Sequence, residues 1–191
     1  MLAQKKQYLT PQEYLLLERQ SEWKSEYFNG EIFAMSGATE EHILIVVNIA
    51  TALHNQFRGR PCKVYANDMR VKVNKTGLYT YPDVIAICDK AKLEDEHLDT
   101  LLNPTVIFEV LSKSTEGYDR GVKFAHYRSI ETLQEYVLVS QDRFLIEHYV
   151  RQPNNLWLLS TMDKLTDTMT LPSMQCALAL NDVYDKVEFN D

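Results

Sequence analysis

Glu109 lies inside an apolar run, Val106-Ile107-Phe108-Glu109-Val110-Leu111, bounded by Pro104 and Ser112. The run is short and rich in β-branched residues, which predicts a fully buried strand. A carboxylate there costs several kcal/mol unless a metal, a cation or a proton compensates it. Asp83 has a similar setting in Tyr81-Pro82-Asp83-Val84-Ile85-Ala86-Ile87. Alone, a Pro-Asp pair marks a strand entry or a turn. Alone, Glu109 could pair with a distant Arg or Lys. Together, two acids on adjacent strands supply what a hard divalent cation needs, since Mg²⁺ takes one or two carboxylates with waters and phosphate oxygens. Without a cation, two close carboxylates repel and one keeps its proton. Glu31, after Asn29-Gly30, and Asp68, after Asn67, are secondary acids on predicted strands. His54, His97, His126 and His148 show no paired ligand spacing, which argues against zinc.

The elements that must position these acids follow from local pattern. Thr10-Pro11-Gln12-Glu13 reads as a capped helix start with Pro in the first turn, and the helix runs to about Gln20. Asn29-Gly30 between two short runs predicts a type I′ hairpin. A second, well-buried helix spans about 40–57, because its apolar positions cover most of its circumference. A meander of two strands, 63–73 and 78–88, turns at 74–77. An acidic loop, 89–103, leads to the Glu109 strand. A helix at about 116–130 and a strand at 135–140 follow. An outer hairpin, 144–150 with 156–160, turns at Asn154-Asn155, and Asn181 would cap a short last helix. The expectation is one α+β domain over residues 1–191.

Composition narrows the function classes. The chain has 191 residues and a net charge of −7, which argues mildly against general nucleic-acid binding. Charge is uneven, however: Arg58, Arg60, Lys63, Arg70, Lys72 and Lys75 face a single acid, Asp68, within 58–75. No apolar run reaches the ~18 residues of a membrane span. The N-terminus lacks the apolar stretch of a secretory signal, so a cytoplasmic location is expected. Cys62, Cys88 and Cys176 form no CxxC pair and read as reduced and mostly buried. No P-loop, GxGxxG or GxSxG is present.

Several segments carry a family resemblance: Tyr-Leu-Thr-Pro-Gln-Glu-Tyr (8–14), Glu26-Tyr27-Phe28-Asn29-Gly30-Glu31, Met35-Ser36-Gly37-Ala38 with His42, and Asp68-Met69-Arg70-Val71. They continue through Tyr81-Pro82-Asp83-Val84, Asn103-Pro104, Glu109-Val110-Leu111-Ser112-Lys113-Ser114-Thr115 and Tyr118-Asp119-Arg120-Gly121-Val122-Lys123-Phe124. In this order they resemble the PD-(D/E)XK nucleases of restriction-endonuclease type, and within them the Uma2 family. The resemblance covers nearly the whole chain. It implies a restriction-endonuclease-like core (helix, antiparallel β-meander, helix, strand) with an N-terminal helix and hairpin and a C-terminal hairpin extension.

The same resemblance implies a DNA endonuclease dependent on Mg²⁺ or Mn²⁺, working as a homodimer. Asp83, Glu109 and the carbonyl of Val110 would be the metal ligands. The superfamily lysine two residues after the strand acid is absent, since Leu111 stands there. Lys113 or Lys123 could replace it, and Lys123 is the choice, because superfamily members are known to move this lysine to the following helix. The plain outcome is a solvated Asp119–Lys123 pair worth a few tenths of a kcal/mol. His42, in the first turn of the buried helix, could contact phosphate or orient water, and the helix N-terminus would keep it neutral. Arg58, Arg60, Arg70 and Lys72 are candidates for DNA-backbone contacts. The alternative is a catalytically inactive nuclease-fold module that binds nucleic acid or a protein.

Overall fold

The computed structural model describes residues 8–189. Its helix α1 (Pro11–Glu18) begins with the expected reciprocal box: Thr10 Oγ1 accepts from Glu13 N, and Glu13 Oε2 accepts from Thr10 N at 2.7 Å. Strands β1 (Ser25–Phe28) and β2 (Glu31–Ala34) form the hairpin. Its turn needs left-handed backbone at both central residues, and Asn29 (φ 49°) and Gly30 (φ 85°) supply it. Helix α2 (Glu40–Gln56) is capped by the Thr39 side chain and buries Ile45, Val46, Ile49 and Leu53.

Each long strand of the expected meander is in fact two strands, and the halves belong to different sheets. The first divides into β3 (Lys63–Ala66) and β4 (Arg70–Val73), the second into β5 (Leu78–Thr80) and β6 (Val84–Ile87). The physical cause lies at 67 and 82. Asn67 takes a left-handed conformation (φ 57°), and Pro82 has no N–H to continue a ladder. The two breaks face each other, with Asn67 N–H bonded to Asp83 O at 3.0 Å. With β7 (Thr100–Leu101), β8 (Val106–Leu111), β9 (Glu135–Ser140), β10 (Ile146–Arg151) and β11 (Trp157–Met162), two larger sheets result. One has the order β2-β1-β5-β4-β7 and the other β11-β10-β9-β8-β6-β3. A small hairpin, β12 (Thr168–Leu171) with β13 (Cys176–Ala179), was not expected from the sequence.

The six-stranded sheet is covered on both faces. Alternation along β8 sends Val106, Phe108 and Val110 to the α2 side and Ile107 and Leu111 to the other, where Tyr127, Tyr136, Val71 and Leu78 meet them. A third cluster, Tyr14, Leu15, Tyr27 and Tyr79, seats α1 on the five-stranded sheet. The helix expected at 116–130 is shorter and not uniform. It runs as α3 (Glu116–Tyr118), a π-wound turn (Asp119–Lys123) and α4 (Phe124–Tyr127).

Two further expectations are corrected. Helix α5 (Leu180–Val183) has Ala179 at its cap position, so Asn181 lies inside the first turn rather than capping it. The cysteines are not all reduced: Cys62 and Cys88 form a disulfide. The β3–β6 register explains it, because Lys63 pairs with Ile87, and the next residues outward are these two cysteines. Cys176 is a free, half-buried thiol. Among the described residues no helix is long and apolar enough to cross a membrane.

Candidate active site

Antiparallel pairing of β6 with β8 sets Val84 opposite Phe108, so the next pair outward is Asp83 with Glu109. Asp83 leaves the corner where the chain crosses between sheets, and its carboxylate is held at both oxygens. Oδ2 accepts the Val110 N–H at 2.7 Å, and Oδ1 lies 3.0 Å from His42 Nε2. Burial opposes a charge on His42, but its bond to Asp83 and the charge there outweigh burial and raise its pKa. The direction is the reverse of that expected from the helix N-terminus, because the Asp83 carboxylate sets it.

Glu109 is 3% exposed. Its Oε1 accepts from the Tyr127 hydroxyl at 2.8 Å and lies 3.0 Å from Lys123 Nζ. The same Nζ is 3.3 Å from Glu26 Oε1 and 3.5 Å from Asp119 Oδ1. Lys123 is therefore a buried cation among three carboxylates, not half of a solvated pair. Its place follows from the helix: Asp119 and Lys123 bracket the π-wound turn and both face inward. Burial works against the Lys123 charge, yet Glu109, Glu26 and Asp119 outweigh it and carry its pKa well above the lysine range. Burial pushes Glu109 well above the carboxylate range, with Lys123 opposing and Asp119 and Asp83 adding to the shift. Asp119 is raised for the same first reason.

Four acids, Glu26, Asp83, Glu109 and Asp119, thus face one lysine and one histidine. That excess of negative charge, with oxygen donors at the wall of an open cleft of about 1100 Å³, suits a hard divalent cation that keeps part of its water shell. Among the described residues no group of three or more Asp, Glu, His or Cys side chains is placed to hold a metal ion. A site with one or two carboxylates and room for phosphate needs no such group. Of Val110, the contact seen is the N–H to Asp83.

Other candidates fall elsewhere. Leu111 is buried in the core, and Lys113 is exposed on the cleft rim. Asp68 is on the rim too, paired with Lys24 at 3.0 Å. Glu31 is half-buried at the hairpin turn, opposite Phe28. Arg70 is buried against Tyr81, Thr100 and Asp99, and Lys72 pairs with Glu94, so neither offers its charge to a ligand as its location in sequence suggested. Arg60 bonds the Met174 carbonyl, and Arg58 is exposed. Glu26 and Asp119 are site residues that the sequence did not single out. Asp119 had a signal in its spacing of four from Lys123, whereas Glu26 had none beyond its motif.

The comparisons bear on this geometry. Residues 11–181 match the model of the Uma2 family, described as "Putative restriction endonuclease". The chain belongs to the Uma2 family. Two Synechocystis sp. (strain ATCC 27184 / PCC 6803 / Kazusa) proteins, both named uncharacterized, are similar along their lengths. With sll1609 the identity is 37% over 81% of this chain and 87% of the relative, and with slr1290 it is 35% over 95% and 94%. A crystal structure from Anabaena variabilis ATCC 29413, titled a putative nuclease belonging to DUF820, superposes with a TM-score of 0.75. It covers 92% of this Uma2 chain and 97% of its own, at 19% identity, and so shows a shared fold.

Proposed function

We propose that this Uma2 protein is a divalent-metal-dependent endonuclease that hydrolyses DNA phosphodiester bonds, with Asp83, Glu109 and Lys123 at its centre. The observation that carries the reading is the approach of Lys123 Nζ to Glu109, 3.0 Å, beside the Asp83 carboxylate. It supplies a lysine that the strand itself lacks at Leu111.

Asp83 and Glu109, with the Val110 carbonyl, would hold Mg²⁺ or Mn²⁺. Bound there, the cation supplies Lewis acidity to a phosphate oxygen and lowers the pKa of water. The chain's own residues do the remainder. Val110 N–H and His42 fix Asp83 in one orientation. Tyr127, whose phenol burial holds well above its ordinary pKa, stays a donor and fixes Glu109. Lys123 stays protonated, so it does not serve as a general base at neutral pH. Its role is to donate hydrogen bonds and to offset the negative charge that grows on a phosphoryl group under attack. His42, bonded to Asp83, stands at the cleft wall within the space open to a phosphate. Cutting both strands of a duplex calls for two such sites, which a homodimer provides.

The test is cleavage of plasmid and single-stranded DNA with Mg²⁺ or Mn²⁺, beside calorimetric titration of the metal alone. Asp83→Ala and Glu109→Gln should each reduce cleavage by about 10²–10³-fold or more and weaken metal binding, on the scale of losing one electrostatic contact to a transition state. Absence of cleavage on all substrates and metals overturns the proposal and leaves the inactive module, and cleavage by both variants at the wild-type rate overturns the assignment of the site.

A further inference from the structure

The cleft over the carboxylates carries three exposed aromatic side chains, Trp23, Phe33 and Tyr118, and little positive charge. Trp23 is 78% exposed and Phe33 is 49% exposed, and both line the cleft. Phe33 is cross-strand neighbour to Glu26, so the two side chains leave the hairpin on one face. Glu26 reaches Lys123 from that face, so Phe33 shares both the face and the cleft with the carboxylate cluster. Trp23 stands at the open end of the same hairpin. Its backbone is pinned by a Ser21 turn, with Trp23 N–H on Ser21 Oγ at 3.1 Å and Ser21 Oγ donating to Trp23 O at 2.7 Å. The ring is therefore an exposed platform on a fixed main chain.

The charges point the same way. Among the described residues lining the cleft there is no arginine, and the lysines are Lys24, Lys113 and Lys123. Lys123 is buried among carboxylates, and Lys24 pairs with Asp68. A duplex-binding surface works by neutralising many phosphates on two strands. This cleft instead has acids along its wall and aromatic faces at its mouth. A single strand carries half the phosphate charge of a duplex into the cleft, and its unpaired bases offer π-faces to the rings whatever their sequence.

We infer that the cleft takes a single-stranded polynucleotide segment, with unpaired bases stacked on Trp23 and Phe33 and the phosphate between them delivered to Asp83 and Glu109. The inference rests on the nuclease reading for the chemical nature of the ligand, and adds its strandedness. An intact duplex enters only where strands are frayed or separated.

The experiment is fluorescence titration of the full chain without divalent metal, in a Trp157→Phe background so that Trp23 is the reporter. The probes are a dU oligonucleotide, a U oligonucleotide of the same length and a mixed-sequence strand with its duplex. The single strands should quench Trp23 and bind at least about tenfold tighter than the duplex. Phe33→Ala, followed by the same quenching, and Trp23→Ala, followed by anisotropy of a labelled strand, should each weaken single-strand binding by about tenfold, the scale of one stacked base. A difference between dU and U, which share the base, assigns the sugar preferred by the same stacking site. Circular dichroism and melting of the variants should match the parent, since both rings are exposed. Equal affinity for duplex and single strand, or unchanged affinity in both variants, overturns the inference. So does self-association of the chain that Trp23→Ala abolishes, with no response to any strand. If wild type cuts DNA while the aromatic variants bind unchanged, stacking fails and the nuclease reading stands. Stacking-dependent binding in a protein that cuts nothing supports this inference and sinks the nuclease reading.

Discussion

Replacing Lys123 by methionine keeps an unbranched side chain, one atom shorter, and removes the charge from among three carboxylates. The ammonium lies 3.0, 3.3 and 3.5 Å from oxygens of Glu109, Glu26 and Asp119, and its side chain is 7% exposed. At an effective dielectric of about 20, each such contact is worth on the order of 5 kcal/mol before desolvation, which costs several kcal/mol per ion. What survives when one partner of a buried pair is removed is about 3–5 kcal/mol of destabilisation. In a chain of this size that corresponds to a loss of about 6–20 °C in Tm.

The pH dependence gives the reasoning a second check. Glu109 already has a raised folded-state pKa from burial, and loss of Lys123 raises it further. A carboxyl raised in the fold binds its proton more tightly folded than unfolded, so stability falls as pH rises from the ordinary carboxylate range through the raised value. The variant should therefore be closest to wild type near pH 5 and furthest from it near pH 8. Adding Glu109→Gln removes the orphaned acid and should recover part of the loss. Denaturant unfolding of the four proteins of this cycle, at both pH values, measures it. A cost below about 1 kcal/mol that is the same at both pH values would refute a lysine buried among these acids.

His42 and the disulfide yield further expectations. Because Asp83 raises the His42 pKa, the stability from this pair is fully present below the unfolded histidine value and is lost as pH rises through the folded one. His42→Gln should flatten that part of the stability-against-pH curve, read by thermal melts across pH 5–9, and a curve unchanged in the variant would count against the contact. The Cys62–Cys88 bond closes a loop with a sequence separation of 26, so Cys88→Ser, or reduction by dithiothreitol, should cost about 3–4 kcal/mol. A reductant-insensitive melt, with both thiols free to alkylation in the native protein, would show that the bond does not form.

Elements with a local cause are legible in the residues themselves: the Thr10–Glu13 box, the Asn29-Gly30 turn and the buried strand bearing Glu109. So is the pairing of acids, because a carboxylate among Val, Ile and Phe needs a partner whatever the fold. The sheet change at Asn67 and Pro82 is not legible as such. Either residue alone is compatible with a bulge or an edge, and only their mutual bond converts two strands into four. The disulfide depends on a cross-strand register that no spacing of cysteines reveals.

The same boundary divides the candidate site. By itself the sequence determined which residues could not be indifferent to their surroundings: Asp83 and Glu109, charges in apolar strands, whose cost is set by burial alone. Only the tertiary structure decided what answers them. Local pattern makes Lys123 half of a solvated pair with Asp119, and only the family resemblance pointed to it; it is a buried cation in the fold because a π-wound turn aims it, with Asp119, at Glu109, while the hairpin brings Glu26 from a segment remote in sequence. Charge compensation depends on distances of a few ångströms between such segments. Those distances are a property of packing, which local pattern does not encode.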